Sequence, residues 1–203
     1  MTPRPSPGAH VTVRPGVCAD ARSVAALHTD LIADGFLATL GPRFLGRLYR
    51  RMLRSSRSFV IVGDAVGAVC GFVAVAEDTR GFYRDFLVRD GVLAGLVALP
   101  RVLHAPRHVW ETFRYGTAVG GGVLPRAEIL AVAVAPSQQG HGLAVRLVTE
   151  ALAELRRRGV PSARVVTAVD NEAACRTYER AGFERRERIE VHRGVAQDVL
   201  VWP

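Results

Sequence analysis

The sequence predicts an α/β fold built as one domain. Two observations carry that prediction. Residues Glu128 to Arg158 read as a buried valine-rich strand, a tight glycine turn and a long amphipathic helix. On either side, short apolar runs alternate with segments whose apolar residues recur at helical spacing. A length of 203 residues favours a single domain, expected over 10–203, and is ample for a core.

The elements follow in order. Residues 1–9 are proline-rich, lack the apolar run of a signal peptide and are expected to form a disordered tail. His10 to Arg14 alternates as a first strand, broken by Pro15-Gly16. Asp20 is placed to cap a helix running to about Ala33, with Val24, Leu27, Leu31 and Ile32 on one stripe and Gly35-Phe36 beyond its end. A second helix starts near Pro42, a residue favoured at the first helical position, and carries Phe44, Leu45, Leu48, Met52 and Leu53 inward. Phe59–Val62 and Ala68–Ala76 read as antiparallel strands around a turn at Asp64–Gly67.

Residues 78–126 carry helical patterns near Phe82–Val88, Val92–Leu99 and His108–Tyr115, punctuated by Pro100, Pro106 and the Gly120–Gly122 run. They are expected to form a helical insertion ahead of the central strand. That strand covers Glu128 to Ala135 and ends at Pro136-Ser137. The turn Gln139–Ala144 leads into the long helix, which stops at Gly159-Val160-Pro161. Ala163 to Val169 is a further strand and Asn171 to Ala181 a short helix. Phe183–Val191 and Val195–Val201 form a closing hairpin around His192-Arg193-Gly194.

Composition narrows the function. Hydrophobic residues make up 49% and charged residues 23%, as in an ordinary globular protein. The net charge is +8, and every basic side chain is arginine. That charge fits an anionic partner or a compositional bias toward Arg, Ala, Val and Gly. The clusters at Arg156–Arg158 and Arg185–Arg188 lack interleaved aromatics, so a nucleic-acid partner is not expected. Cys18, Cys70 and Cys175 form no zinc or redox spacing and read as reduced thiols of a cytoplasmic protein. Phe59 to Ala76 is apolar, but Gly63-Asp64 and Gly67 interrupt it as a hairpin would, so no membrane span is expected. His104 and His108 have helical spacing, yet Pro106 lies between them and no metal is expected.

The glycine turn carries the chemistry. Glycine lets backbone N–H groups approach an anion without a Cβ in the way, and a helix start adds unpaired N–H groups and a positive dipole end. Together they suit a phosphate or pyrophosphate. The turn is neither common nucleotide loop: there is no lysine for a P-loop, and two glycines are too few for a dinucleotide fingerprint. A strand ending in Val-x-Pro, followed by Gln139-Gly140-His141-Gly142-Leu143-Ala144 and a helix, resembles the acyl-CoA-binding motif of the GNAT superfamily of N-acyltransferases. A second stretch, from Asn171 through Ala174 and Tyr178 to Gly182-Phe183, resembles the Asn-x-x-Ala-x-x-x-Tyr-x-x-x-Gly-Phe segment of the same superfamily. The resemblance is clear from about Glu128 to the C-terminus, and compatible over 10–77.

The resemblance implies a mixed, mostly antiparallel central sheet flanked by helices. It implies acetyl-CoA, or another acyl-CoA, as co-substrate. The N–H groups of Gln139 to Ala144 would hold the pyrophosphate, with Gln139, His141 and Arg146 as side-chain candidates for the other phosphates. Val132 and Val134 would meet the pantetheine arm through main-chain atoms, where this strand and the next splay apart. An N–H there would also face the acyl oxygen. Tyr178 would be the general acid for the departing thiolate, or else pack on the core with Phe183. Asn171 would contact the pantetheine arm, cap its helix, or both.

Glu128, expected on one face with Leu130, Val132 and Val134, is a general base or a solvated strand end. His28, Asp30 and Asp34 either line the acceptor pocket or sit on the solvated surface. The 78–126 insertion is a flap over the acceptor cleft contributing Tyr83, Arg84, Arg89 or Trp110, or else covers the sheet or pairs two subunits in a homodimer. The implied activity is N-acetyl transfer to the primary amine of a small molecule. The alternatives are a protein or peptide acceptor, and an acyl-CoA-binding sensor without catalysis.

Overall fold

A computed structural model describes residues 10–32, 41–86, 88, 124–190 and 196–203. Strand β1 (Val11–Pro15) leads through a 3-10 turn (Cys18–Asp20) into helix α1 (Ala21–Leu31). Helix α2 (Pro42–Met52) and the hairpin of β2 (Ser58–Ala65) and β3 (Ala68–Ala76) follow. After a helical segment over residues 79–86 come β4 (Ala127–Val134), α3 (Leu143–Arg157), β5 (Ala163–Ala168), α4 (Glu172–Arg180), β6 (Glu184–Glu190) and β7 (Ala196–Trp202).

The seven strands form one mixed sheet in the order β1-β2-β3-β4-β5-β7-β6. Every neighbouring pair is antiparallel except β4 and β5. The expected mixed, mostly antiparallel sheet flanked by helices is therefore what the chain builds. Helix α3 crosses one face, with α4 against it, and α1 and α2 cover the other. The core is split accordingly. Val73, Val75, Ile129, Leu147, Leu155, Tyr178 and Leu200 pack on the α3 side, whereas Val24, Leu45, Tyr49, Phe72, Ala131 and Ala133 pack on the α1 side.

One sequence expectation about β4 fails for a geometric reason. Ala74 pairs with Ala131 but Val75 pairs with Ile129, so Leu130 is an extra residue in the ladder, a β-bulge. Before the bulge, Ala127 and Ile129 face α3; after it, Val132 and Val134 do. Glu128 therefore does not share a face with Val132 and Val134. It lies on the side of Leu130, Ala131 and Ala133.

Asp20 also departs from expectation. It precedes α1 but makes no side-chain cap to it. Its carboxylate turns back to accept from the Val17 N–H at 2.8 Å and from Arg14 Nη1 at 2.8 Å. Burial pushes this carboxyl up, yet Arg14 and the Val17 N–H outweigh burial and hold it below the usual carboxylate range. Pro42 occupies the first turn of α2 as expected, and α2 buries Phe44, Leu45, Leu48, Tyr49 and Met52. In the β2–β3 turn, Val66 sits at φ +53° and is 92% exposed, a strained conformation for a β-branched residue.

Of the 78–126 insertion, residues 79–86 are helical and bury Phe82 and Phe86, the latter edge-on to Phe44 at 5.4 Å between centroids. The tail 1–9, the Gly35-Phe36 stop, the two later helical patterns of the insertion and the His192-Arg193-Gly194 turn lie outside the described residues. No helix among the described residues is long and apolar enough to cross a membrane, and no group of three potential metal ligands occurs among them.

Candidate active site

The junction between β4 and α3 has the form its residues require. Gly140 and Gly142 adopt φ of +77° and +74°, and no atom lies within 4 Å of the position a Cβ would take at either. Glycine is needed here for left-handed backbone, with open space in front of it. Gly142 is the N-cap of α3 and no side chain caps that helix. The first helical hydrogen bond runs from the Arg146 N–H to Gly142 O at 3.1 Å. The N–H groups of Leu143, Ala144 and Val145 thus lack intrahelical acceptors, at the positive end of a fifteen-residue helix.

Side chains shape this turn more than they extend from it. Gln139 Nε2 donates to Val134 O at 2.8 Å, tying the turn to the end of β4. His141 Nδ1 lies 2.8 Å from Gln139 O, and its ring is exposed. Arg146 Nη2 donates to Val11 O at 3.0 Å, which fastens α3 to the edge strand β1. Gln139 and Arg146 thus each hold a backbone carbonyl, while the backbone N–H groups, with exposed His141 beside them, border open space at the helix start.

Beside this turn the sheet opens. β4 and β5 pair only at Ala127–Ala163, Glu128–Arg164 and Ile129–Val165. Beyond that, β4 stays with β3 as far as Val134, and β5 stays with β7 as far as Ala168. Two parallel strands thus separate toward their carboxyl ends, the ends that lead into α3 and α4. Such a crevice is where open α/β sheets take their ligands. Val132 and Val134 lie on its β4 wall with side chains packed toward α3.

Tyr178 is brought to the same side. It packs in one cluster with Val132, Val134, Leu143, Ala144 and Ala174, so both sequence motifs converge there. Its position is fixed by the way α4 ends. The Phe183 N–H donates to Tyr178 O and the Gly182 N–H to Glu179 O, both at 3.0 Å, with Gly182 at φ +98°. This is a Schellman termination, and its usual apolar contact is made by the Tyr178 and Phe183 rings at 5.6 Å. The Gly-Phe of the motif thus serves to hold the tyrosine. Burial, with a smaller push from the Cys175 thiol, raises the Tyr178 pKa well above the usual phenol range. The phenol keeps its proton at neutral pH and can give it only to a base set directly beside it.

Asn171 caps α4: its Oδ1 accepts from the Ala174 N–H at 3.1 Å. Glu128 is not a solvated strand end. Arg164 Nη2 and Nε donate to its Oε2 at 2.7 and 3.0 Å, and Thr79 Oγ1 does so at 3.2 Å. This ion pair spans the last stretch where β4 and β5 are joined. Both side chains are mostly buried, at 17% and 15% exposure.

On the α1 face, His28 is buried at 2% exposure, between α1, α2 and β3. Its Nδ1 lies 2.6 Å from the Tyr49 hydroxyl and its ring stacks on Phe72 at 6.3 Å. Burial pushes its pKa down to about 4. The solvated-surface expectation therefore fails for His28. It holds for Asp30, which is exposed; Arg84, a flap candidate, is exposed as well. Asp34, Arg89, Trp110, His104 and His108 lie outside the described residues. Tyr83 is half-buried, and burial together with the Glu128 charge raises its pKa.

Sequence reasoning missed Tyr49 and Arg164. Tyr49 was accessible, since it falls on the apolar stripe of α2, four residues after Leu45. Arg164 was not, because its meeting with Glu128 depends on a strand register that no local pattern encodes.

The acetyltransferase (GNAT) family model matches residues 75–183, more than half of the chain. The protein belongs to this family, whose members are acyl-CoA-dependent N-acyltransferases. Among its relatives, a mycothiol acetyltransferase from Brachybacterium faecium is 47% identical over 58 residues, 29% of this chain and 18% of the relative. N-alpha-acetyltransferase 30 from Schizosaccharomyces pombe is 37% identical over 68 residues, 34% of this chain and 45% of the relative. The matched stretches thus span about a fifth of the first relative and under half of the second. Among solved structures, an N-acetyltransferase from Staphylococcus aureus superposes with a TM-score of 0.62 at 13% identity, covering 95% of this chain and 98% of that one. A Salmonella typhimurium protein solved with its cofactor acetyl-CoA gives 0.59 at 16% identity, covering 94% and 92%. These superpositions establish the shared fold.

Proposed function

We propose that the protein is an N-acetyltransferase which moves an acetyl or small acyl group from acyl-CoA to the primary amine of a small molecule, by direct attack. The reading takes residues 10–203 as one catalytic domain with 78–126 as its insertion. The observation that carries it is the early end of the β4–β5 pairing, beside an uncapped helix start and a buried tyrosine on one side of the sheet.

The N–H groups of Leu143 to Val145, with the open glycine turn Gly140–Gly142 before them, suit the pyrophosphate. The unpaired edge of β4 beyond Ile129 suits the amides of an extended pantetheine arm. The thioester supplies an activated carbonyl, so the protein's task is placement and proton traffic. As the amine nitrogen bonds to the carbonyl carbon and the carbon–sulfur bond breaks, Tyr178 gives its proton to the sulfur. The amine's surplus proton leaves on the other face. Glu128 is the candidate base there, acting through water with Arg164 and Thr79 fixing its carboxylate. The site uses no metal. The setting is cytoplasmic, where Cys18, Cys70 and Cys175, all free, stay reduced.

A protein or peptide amine is the second reading, supported by the relative named N-alpha-acetyltransferase 30. Coenzyme A release measured with amines of both kinds decides between them. In the same assay Tyr178→Phe should lower kcat by about 100-fold or more while coenzyme A affinity stays within about twofold. Tight binding of coenzyme A with no turnover on any amine, and no effect of Tyr178→Phe, would identify a sensor instead.

A further inference from the structure

The surplus charge of the protein is concentrated in one place. Residues 41–63 hold six arginines and no aspartate or glutamate, while the rest of the chain sets 21 arginines against 19 acids. Most of the net charge of +8 therefore belongs to α2 and the segment after it. Arg43, Arg47, Arg50 and Arg54 follow at intervals of four, three and four residues, which stacks them in one row within about 60° of arc. Arg54 continues the row past Met52, where the Leu53 N–H still donates to Tyr49 O. The buried Phe44, Leu45, Leu48, Tyr49 and Met52 occupy the opposite side of the helix. Arg43, Arg50 and Arg54 are exposed and Arg47 is half-buried.

On other elements exposed arginines face acids. Arg157 meets Glu150 and Glu154, Arg176 meets Glu172, and Arg185 and Arg188 meet Asp198. Among the described residues no carboxylate pairs with Arg43, Arg47, Arg50, Arg54 or Arg57. That arrangement costs stability. Like charges three and four residues apart repel one another along the helix. Arg43 also lies in the first turn, at the positive end of the helix dipole, with no acid there to offset it. A compositional bias explains why the residues are arginine but not why their partners are missing. The clusters at Arg156–Arg158 and Arg185–Arg188, which gave no reason to expect a nucleic acid, are largely taken up by carboxylates; the α2 row is a separate surface.

The row also stands apart from the candidate active site. α2 packs on β2 and α1, whereas α1 packs on β3 and β4. α1 thus lies between α2 and the opening of β4 from β5, and a partner on α2 leaves that opening accessible.

We infer that the exposed face of α2 docks on the phosphate backbone of duplex DNA. The inference is independent of the acyltransferase reading. Guanidinium groups match phosphate oxygens in pairs. The row is about 16 Å long at the helical rise, so it reaches phosphates on both walls of a major groove about 12 Å wide. Backbone contacts of this kind carry no base sequence. Other polyanions fit less well. A helix that lies in a membrane surface inserts its apolar face, and that of α2 is buried in the protein. Single strands are held by stacking on aromatics, and Phe44 and Tyr49 of α2 are buried. Duplex RNA is met across its minor groove through 2′-hydroxyls, and its major groove is too narrow for the row. An acidic protein offers no regular line of charge.

The test measures anisotropy of a labelled 20-base-pair DNA duplex with the full chain saturated with coenzyme A, so that the glycine turn is filled. Four phosphate contacts predict a slope of log K against log salt of about −3.6, and a loss of affinity of about 100-fold between 50 and 200 mM salt. The combined variant R43Q/R47Q/R50Q/R54Q should weaken binding at 50 mM salt by about 30-fold or more and flatten the slope, while coenzyme A affinity stays within about twofold. Its urea midpoint should equal or exceed that of the wild type, because like charges are removed. The combined variant R157Q/R176Q/R180Q/R186Q, which removes the same charge from other faces, should bind the duplex within about threefold of the wild type. No binding at 50 mM salt, or equal weakening by the two variants, overturns the inference. So does tighter binding of duplex RNA, of phosphatidylserine vesicles or of polyglutamate than of the DNA duplex, with loss in the α2 variant; that result assigns the face to the other partner.

Discussion

The two faces of the sheet solve different problems. On the α3 face, the candidate site is built from backbone: left-handed glycines, unpaired N–H groups at a helix start, a strand edge without a neighbour and one tyrosine held by a Schellman turn. The α1 face instead gathers buried polar side chains from separate elements: His28 from α1, Tyr49 from α2, and Glu128 paired with Arg164 across β4 and β5. Backbone devices need particular residue types at fixed spacing, so they leave motifs. Side-chain clusters gathered from distant elements leave none.

Four substitutions sharpen the contrast, from the largest expected effect to the smallest. Gly142→Glu sets a carboxylate at the helix start in a left-handed conformation and should weaken coenzyme A binding by about 100-fold, about 3 kcal/mol. Calorimetry checks it, and unchanged affinity would remove the pyrophosphate from this turn. The second change is on the other face and appears in pH dependence. His28 has a folded pKa of about 4 against an unfolded value near 6.5. Between those values the unfolded chain binds the extra proton, so stability is full above about pH 6.5 and falls as pH drops toward 4. Between pH 7 and pH 5 the loss from this group is about 2 kcal/mol. Urea titrations of wild type and His28→Phe at both pH values should show a difference of that size, and equal slopes would contradict the buried neutral ring.

Third, Asn171→Ala removes the α4 cap and should destabilise by about 1 kcal/mol in denaturant. If Asn171 also touches the ligand, coenzyme A affinity falls with it; if capping is its whole role, affinity holds. Fourth, Val66→Asn lies outside both functional faces. Asparagine tolerates the left-handed turn that valine resists, so the variant should gain about 0.5–1 kcal/mol with kinetics unchanged. A loss of activity there would mean that the division between functional faces and neutral scaffold is drawn in the wrong place.

How much of this was legible in the sequence follows from the same division. Valine-rich runs and helical stripes placed the elements that the structure describes, with boundaries displaced by a few residues at most. Tyr178, Gly142 and Asn171 were readable because a turn, a cap and a helix end constrain nearby residues. The orientation of Glu128 was misread because the bulge at Leu130 inserts one residue into the β4 ladder, and alternation counted along a strand cannot detect that. Asp20 was misassigned because Arg14, six residues earlier, and the Val17 N–H compete for its carboxylate. His28 looked like a surface residue at a helix end, since only the packing of α1 and α2 on β3 reveals its burial.

The three-pair seam between β4 and β5 has a consequence for amide hydrogen exchange. Main-chain amides of Leu130 to Val134 and of Val166 to Ala168 that point into the opening have no strand to shield them. In the free protein they should exchange with solvent deuterium far faster than amides of the β2–β3 ladder, although they occupy the middle of a seven-stranded sheet. An acyl carrier laid along that opening would slow them selectively, and the protected amides would trace its path residue by residue.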